Sequence, residues 1–358
     1  MPDQKIILRY PNDNMVSSAL NPLDDILCWV SGFTSKNYVK EIIQTKHSPQ
    51  VQPTIDERTN EVTQYVHLCC QYIEQATKGP KELAYLPLYY ALLNLAKAYI
   101  SVGKHAIELN MRDNRRHGAS YDHSKFSSLD DDSINIHNRG IIPLFYKTLL
   151  DTDLPVKDKK LRLKMKQVYP YIRMISAEYA IACGVSSAKL LIPFTISTED
   201  LPNGYQRLKA QWIGDRFINK DELGIPNRLS SLQAFNSMRR INKNDKVLYS
   251  KKYKSDDARI WSHVRRNLLY DDIETFGVSK YVFVPVSGES LLLPEELPIL
   301  CAFYHLSNIV RYNPNALTTL MDSKYWPAIL ALQSHGLYCF LLLFYGYMTQ
   351  TRVFFKAK

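Results

Sequence analysis

Glycine and proline are sparse in this sequence, at 13 and 18 of 358 residues, which excludes a collagen-like or low-complexity chain. Cysteine is sparser still. Cys28, Cys69, Cys70, Cys183, Cys301 and Cys339 stand in mostly apolar surroundings, with no C-x-x-C pair among them. Adjacent Cys69 and Cys70 point to different faces of a helix and do not readily chelate together, so free buried thiols in a reducing compartment are expected rather than a zinc or disulfide site. The opening MPDQKIILRY has no basic segment followed by an apolar stretch of signal-peptide length; no export leader is expected, and the cytoplasm is the expected location. Uninterrupted apolar sequence is short as well. Between Trp326 and Met348 the run is broken by Gln333, Ser334 and His335, and the remainder from Leu337 is about half of the roughly 20 residues that a spanning helix needs. A buried helix is expected there. The phosphate-cradling and hydrolytic templates are also missing: no G-x-x-x-x-G-K-[ST], no G-x-G-x-x-G after a strand, no H-E-x-x-H and no G-x-S-x-G. NTP hydrolysis by this chain alone is not expected, nor is a cofactor or a bound metal.

What is abundant is tyrosine, 24 residues against 13 Phe and 4 Trp, a side chain that buries a ring while keeping a polar tip. Positive charge is also in excess, at +10 net, which favours a polyanionic partner.

The apolar periodicity divides the chain. The first fifty residues read as irregular, with one short helix around Pro22 to Trp29. Asp56 is the expected N-cap of a helix in which Val62, Tyr65, Val66, Cys69, Tyr72 and Ile73 recur at helical spacing. After Lys78-Gly79-Pro80 a second helix runs from Leu83 to Tyr99, with Gly103 as its stop, so the two form a helical hairpin. From Asn110 to Asn138 the sequence is polar and loses the helical period, too long a stretch for a casual connector. Helix is expected again over Ile141 to Leu150 and over Tyr169 to Cys183, ending at Gly184. Residues 189–197, 245–253 and 280–288 read as strands, Leu229 to Ile241 leans helical, and Ser287-Gly288-Glu289-Ser290 reads as a turn. Helices resume over Glu295 to Arg311 and across Ile329 to Met348.

The charge is clustered. Lys157, Lys159, Lys160, Arg162, Lys164, Lys166 and Arg173 face only Asp158 in their stretch. Arg239, Arg240, Lys243, Lys246, Lys251, Lys252 and Lys254 face only Asp245. Arg259, Arg265 and Arg266 extend the second cluster, with Trp261 and His263 among them. Such side chains neutralise phosphates, and interleaved aromatics stack on exposed bases. A solvated face or a dock for an acidic protein is the competing reading. RRM, KH and helix-turn-helix signatures are missing, so sequence-specific readout cannot be argued. Asp130, Asp131 and Asp132 could ligate a metal, but three adjacent carboxylates in a Ser-rich loop read first as a solvated turn or helix cap.

One arrangement suggests chemistry. In Arg112-Asp113-Asn114-Arg115-Arg116-His117, an Arg and a His separated by four residues can converge on one phosphodiester. The Arg would balance developing charge, and the His would move a proton to or from a ribose 2′-OH or the leaving oxygen. The bland alternative is a His117-Gly118 turn with exposed arginines. A helical hairpin followed by Arg, then Asp or Asn, then His resembles the HEPN superfamily, whose ribonuclease members carry a dispersed R-x4-6-H motif; Arg116 and His123 meet the same spacing. The resemblance implies Arg112 and His117 as a metal-independent catalytic pair, with Arg115 and Arg116 holding phosphate.

A second resemblance covers more of the chain. The helix Leu83 to Tyr99, His117-Gly118 and above all CAFYHLSNIVRYNPNAL (301–317) are similar to the YaaC-like family of bacterial proteins. There a helix of the form hydrophobic-LS-x-hydrophobic-hydrophobic-RY-x-P precedes a terminal helical segment, matched here by Leu306, Ser307, Arg311, Tyr312 and Pro314. Arg311 ends a helix where a cation favours the dipole, Tyr312 anchors by its ring, and Pro314 blocks continuation.

The resemblance implies a mostly helical, HEPN-like α+β fold in a cytoplasmic protein of bacterial or mobile-element origin. The expected plan is an irregular segment 1–55, a helical part 56–185, a mixed β-containing module 186–290 and C-terminal helices 291–358 packing on the first helical part. HEPN-like proteins often serve in defence against phage or plasmids. The expected function is therefore contact with nucleic acid, RNA foremost, in a bacterial defence or stress system, with cleavage by Arg112 and His117 as its catalytic form. The alternative is a non-catalytic subunit of a defence complex, or a homodimer, that meets DNA or an acidic protein. Both lean on the basic stretches and the histidine loop sharing one exposed side.

Overall fold

Helices at the two ends of the chain build one core. In the computed structural model the described residues are 5–6, 15–18, 22–47, 53–123, 126, 128–156, 160–184, 191–212, 247–250, 252–254, 269–270, 282–285 and 293–355. Near the N-terminus, strand β1 (Lys5–Ile6) and strand β2 (Met15–Ser18) precede helix α1 (Pro22–Ser31) and helix α2 (Lys36–Lys46). Only one short helix is legible here from sequence. The second, α2, turns only Tyr38, Val39, Ile42 and Ile43 toward the core, with Val39 and Ile43 fully buried, so its apolar stripe is short.

Helix α3 (Ile55–Lys78) starts one step before the expected Asp56 cap. Thr54 is the cap: its hydroxyl accepts from the Glu57 amide at 3.2 Å, and the Glu57 carboxylate accepts from the Thr54 amide at 2.7 Å. That reciprocal pair satisfies two otherwise orphaned donors. Asp56 falls in the first turn, where its charge suits the helix dipole. Helix α4 (Tyr85–Val102) returns antiparallel along α3, as the hairpin pattern predicts, and is the centre of the protein. It is apolar nearly all round, with Tyr85, Tyr89 and Tyr99 among the largest fully buried side chains, as expected for a helix enclosed by others.

After α4 come the short helix α5 (Ala106–Leu109), strand β3 (Ala119–Tyr121), strand β4 (Ser133–His137), helix α6 (Ile141–Leu150) and strand β5 (Lys160–Lys164). The polar stretch 110–138 thus contains two strands of an antiparallel sheet ordered β3-β4-β5. The helix expected over Tyr169 to Cys183 is instead two 3-10 turns, Tyr169–Tyr171 and Arg173–Ile175, followed by helix α7 (Ser176–Cys183). Pro170 lacks an amide donor and constrains its neighbours, and Ile172 is extended at φ −91°, ψ 97°. Gly184 closes α7 at φ +68°.

The middle of the chain is a β module, as expected. Strands β6 (Leu191–Leu201) and β7 (Tyr205–Trp212) form an antiparallel hairpin through Pro202–Gly204. Strands β8 (Val247–Tyr249), β9 (Tyr253–Lys254), β10 (Leu269–Tyr270) and β11 (Val282–Pro285) join it, and β1 adds to β6. The helical leaning at Leu229 to Ile241 and the turn at Ser287 to Ser290 lie outside the described residues.

Helix α8 (Glu296–Tyr312) then packs on α4, which also contacts α6. Pro314 both stops α8 and opens helix α9 (Pro314–Met321), whose N-cap Asn313 accepts from the Ala316 amide at 3.0 Å. Helix α10 (Trp326–Ala331) leads through a π turn (Leu332–Gly336) into helix α11 (Leu337–Thr349), which packs on α1 and α4. By length and composition Trp326–Thr349 could cross a membrane, but 67% of its apolar window is buried inside the protein. It serves as a core helix, in keeping with the interrupted apolar pattern. Strand β12 (Arg352–Phe355) pairs parallel with β2. The fold is thus mostly α-helical, with chain ends packed together and a β module between them.

Candidate nucleic-acid interface

The loop from Asn110 to Gly118 is held by the turn that precedes α6. The Ile141 and Ile142 amides donate to the carbonyls of Arg116 (2.9 Å) and His117 (3.1 Å), and the His137 amide donates to the Gly118 carbonyl at 2.8 Å. The Gly140 amide donates to the Asn114 side chain at 3.1 Å. This crossing requires glycine on both sides. Gly118 sits at φ +83° and Gly140 at φ +119°, and a Cβ on Gly140 would stand 2.3 Å from the Gly118 Cα.

The crossing turns His117 and Arg139 into one cleft of about 760 Å³. Arg115, Arg116 and Arg139 supply its charge, His117 and His137 its rings, and Asp113 its one carboxylate, which is paired with Arg139. Arg115 and Arg116 have no salt-bridge partner among the described residues. Arg112 is exposed on the 3-10 turn Arg112–Arg115 and is not among the residues lining the cleft, so the structure does not bring it and His117 to that one space.

His117 is the most constrained group in the cleft. The Tyr89 hydroxyl is 2.6 Å from its Nδ1, and the rings of Tyr89, Tyr90 and Tyr304 surround it at 5.6, 6.2 and 6.2 Å. Burial pulls its pKa below the ordinary 6.5, and the charges of Arg311 and Lys97 pull the same way, so the imidazole is neutral at pH 7. Burial drives the Tyr89 hydroxyl well above the ordinary 10, so it stays protonated. With Nδ1 engaged, Nε2 is the nitrogen left for a ligand or a transferred proton.

The β3-β4-β5 sheet continues the polar surface. Register pairs Ser133 with Lys164, Asn135 with Arg162 and His137 with Lys160, and directly paired residues share a face. Lys160, Arg162 and Lys164 are exposed, alternating with the more buried Leu161 and Leu163. Since His137 also lines the cleft, the basic strand lies beside it. Lys166 is exposed on the turn after β5. Lys252 and Lys254 are exposed in the β module. Lys157, Lys159, Arg239, Arg240, Lys243, Lys246 and Lys251, with Arg259, Trp261, His263, Arg265 and Arg266, lie outside the described residues.

The aspartate run is not the solvated turn that its composition suggests. Asp132 is 7% exposed; it accepts from the Tyr121 hydroxyl and from His305 Nε2, each at 2.7 Å, and from the Ser133 amide at 2.8 Å. Asp130 accepts from Tyr179 at 2.6 Å and also from Tyr325. Only Asp131 behaves as a local turn residue, bonded to Ser128. Among the described residues no three His, Cys, Asp or Glu side chains are placed to hold a metal, and all six cysteines are free thiols. Sequence reasoning missed Tyr89, His137, Arg139 and Arg311 as neighbours of His117. The high tyrosine content was the one visible hint, since a ring with a polar tip suits the wall of a half-buried site.

Leu306 and Ser307 of the α8 motif are buried, whereas Arg311 and Tyr312 are exposed. The fold and this motif define a mostly helical protein with an inserted β module. A model of the YaaC-like protein family matches residues 27–348, most of the chain, and the protein belongs to that family. No curated protein and no solved structure matches it.

Proposed function

We propose that this protein contacts nucleic acid, RNA foremost, through the cleft at His117 and the adjoining outer face of β3-β4-β5. The observation that carries the reading is that Arg115, Arg116 and Arg139 line the cleft together with His137, which is paired in register with Lys160 on the strand that also exposes Arg162 and Lys164. Neutralising phosphates is the task to which such a surface is suited. The setting, a bacterial defence or stress system in the cytoplasm, rests on the likeness of the α3–α4 hairpin and its Arg–His loop to HEPN proteins.

Metal-independent cleavage is the catalytic form of the same reading, and His117 favours it. A neutral imidazole oriented by Tyr89 suits proton transfer at a ribose 2′-OH. Arg112 completes the spaced motif, but Arg115 and Arg116 line the cleft with His117, as Arg112 does not, and are placed to balance developing charge. The rival reading, a non-catalytic subunit, draws on Ile107 and Met111, apolar side chains 56% and 52% exposed just before Arg112. Stoichiometric partners on purification from the native host are its expected signature.

The test is fluorescence anisotropy with labelled RNA over a salt series. Affinity is expected to fall steeply with salt, and Arg115→Ala with Arg116→Ala to lose roughly tenfold at low salt. A flat salt response sinks the reading. If the cleft cleaves, His117→Ala abolishes the cleavage and keeps the binding; cleavage that survives the substitution excludes the imidazole.

A further inference from the structure

Beside the cleft, Tyr72, Tyr90, Arg311, Tyr312 and His123 form an unbroken run of flat groups. The Tyr90 ring stacks on Tyr72 at 5.4 Å and 25°. Arg311, near the end of α8, lays its guanidinium over Tyr90 at 5.6 Å and over Tyr312 at 5.3 Å. It also donates to both hydroxyls, at 2.8 Å and 3.3 Å. The Tyr312 ring meets that of His123 at 4.5 Å, and Asn313 fixes the His123 carbonyl at 3.1 Å. Tyr312 is nevertheless 53% exposed, and Arg311 and His123 are exposed too. Rings that served only the core would be covered, and a cation–π contact in solvent stabilises the fold little. The run joins the cleft through Tyr90, 6.2 Å from the His117 ring.

We infer that this run is a stacking shelf for unpaired bases, so that the nucleic acid taken by the cleft is a single strand and not a duplex. The inference rests on the nucleic-acid reading of the cleft and names its substrate class. A duplex offers its phosphates outward and hides its base faces, leaving exposed rings without a task. A single strand can lay its backbone along Arg115, Arg116 and Arg139 and turn its bases onto Tyr312, Arg311 and Tyr90, the mode in which aromatic and guanidinium planes hold bases of any sequence.

Anisotropy with a labelled single strand of about 12 nucleotides, and with its blunt duplex, tests the shelf on the full chain. The wild type is expected to prefer the single strand by roughly tenfold or more. Tyr312→Ala is expected to lose roughly tenfold on the single strand and less than about twofold on the duplex, while Tyr312→Phe keeps wild-type affinity. Unchanged circular dichroism in both variants controls for folding. Equal affinity for the two nucleic acids, a preference for the duplex, or an equal loss on both in Tyr312→Ala overturns the shelf and leaves the cleft reading standing. Failure of the wild type to bind either one removes the cleft reading, and the shelf with it.

Discussion

The β3-β4-β5 sheet has two faces made of overlapping residue types and put to opposite uses. On the inner face Tyr121, Ile134, Ile136 and Leu163 are buried, and the sheet is tied to α8 by the Tyr304 hydroxyl donating to the Ala119 carbonyl at 2.9 Å. Asp132, at the mouth of β4, meets Tyr121 and His305 there. On the outer face His137 bonds Ser120 at 3.1 Å, Arg162 bonds Ser133 at 3.0 Å, and Lys160 and Lys164 stand exposed. Each side has histidines and charged groups. What differs is whether each charge finds a partner: inside, the carboxylate accepts three hydrogen bonds, while outside Lys160, Lys164, Arg115 and Arg116 have no ion-pair partner among the described residues. Burial without partners is costly, so the inner charge holds the fold, and the outer charges are free to serve binding.

The sharpest way to break this contrast is Asp132→Ala. It strands the Tyr121 hydroxyl and His305 in a dry interior, so the expected loss is about 3 kcal/mol of stability, read by chemical denaturation. Nucleic-acid affinity of the remaining folded protein should hold. A loss under about 0.5 kcal/mol, the range of ordinary surface substitutions, would show that the inner pair does not hold the sheet. The reverse pattern is expected outside. Lys160→Ala, Arg162→Ala and Lys164→Ala combined should leave stability within about 1 kcal/mol but flatten the slope of log affinity against log salt by about 2, or roughly 0.7 for each single-strand phosphate that is no longer neutralised. An unchanged slope would detach β5 from the interface.

The contrast also explains what can be read in advance. The α3–α4 hairpin, α6 and the closing helices are legible because one long-period apolar pattern decides each of them. The β strands at 119–121 and 133–137 are not, since short strands with one polar face, such as Ser133-Ile134-Asn135-Ile136-His137, carry only two inward residues. The fate of the aspartates is hidden for another reason. Asp132 is buried by partners 11 and 173 residues away in sequence, Tyr121 and His305, and no local window contains them. The same holds for the site: the Arg–His loop is visible, but Arg139 arrives through the Gly118–Gly140 crossing and Arg311 through α8, so only the folded chain places them near His117.

The finest probe of the two environments is pH. His117 is held below the ordinary 6.5 by burial first and then by Arg311 and Lys97; His47, against the Met348 carbonyl, is also lowered, by burial first and with Arg58 adding to it. Below pH 6.5 the unfolded chain binds protons at these rings more readily than the folded one. Stability is therefore full above that point, declines as pH falls from it, and levels off once both depressed pKa values are passed. In binding the sign is opposite, because a protonated His117 adds one positive charge to a cleft that already attracts phosphate. Affinity for the single strand should rise as pH falls through the His117 pKa, over the same range in which stability drops. Denaturation and anisotropy measured in parallel from about pH 7.5 to 5, the interval in which a histidine titrates, separate the two. His117→Asn should remove the rise in affinity and only part of the stability loss, since His47 still contributes. If the affinity rise persists in that variant, His117 is not the group that carries it.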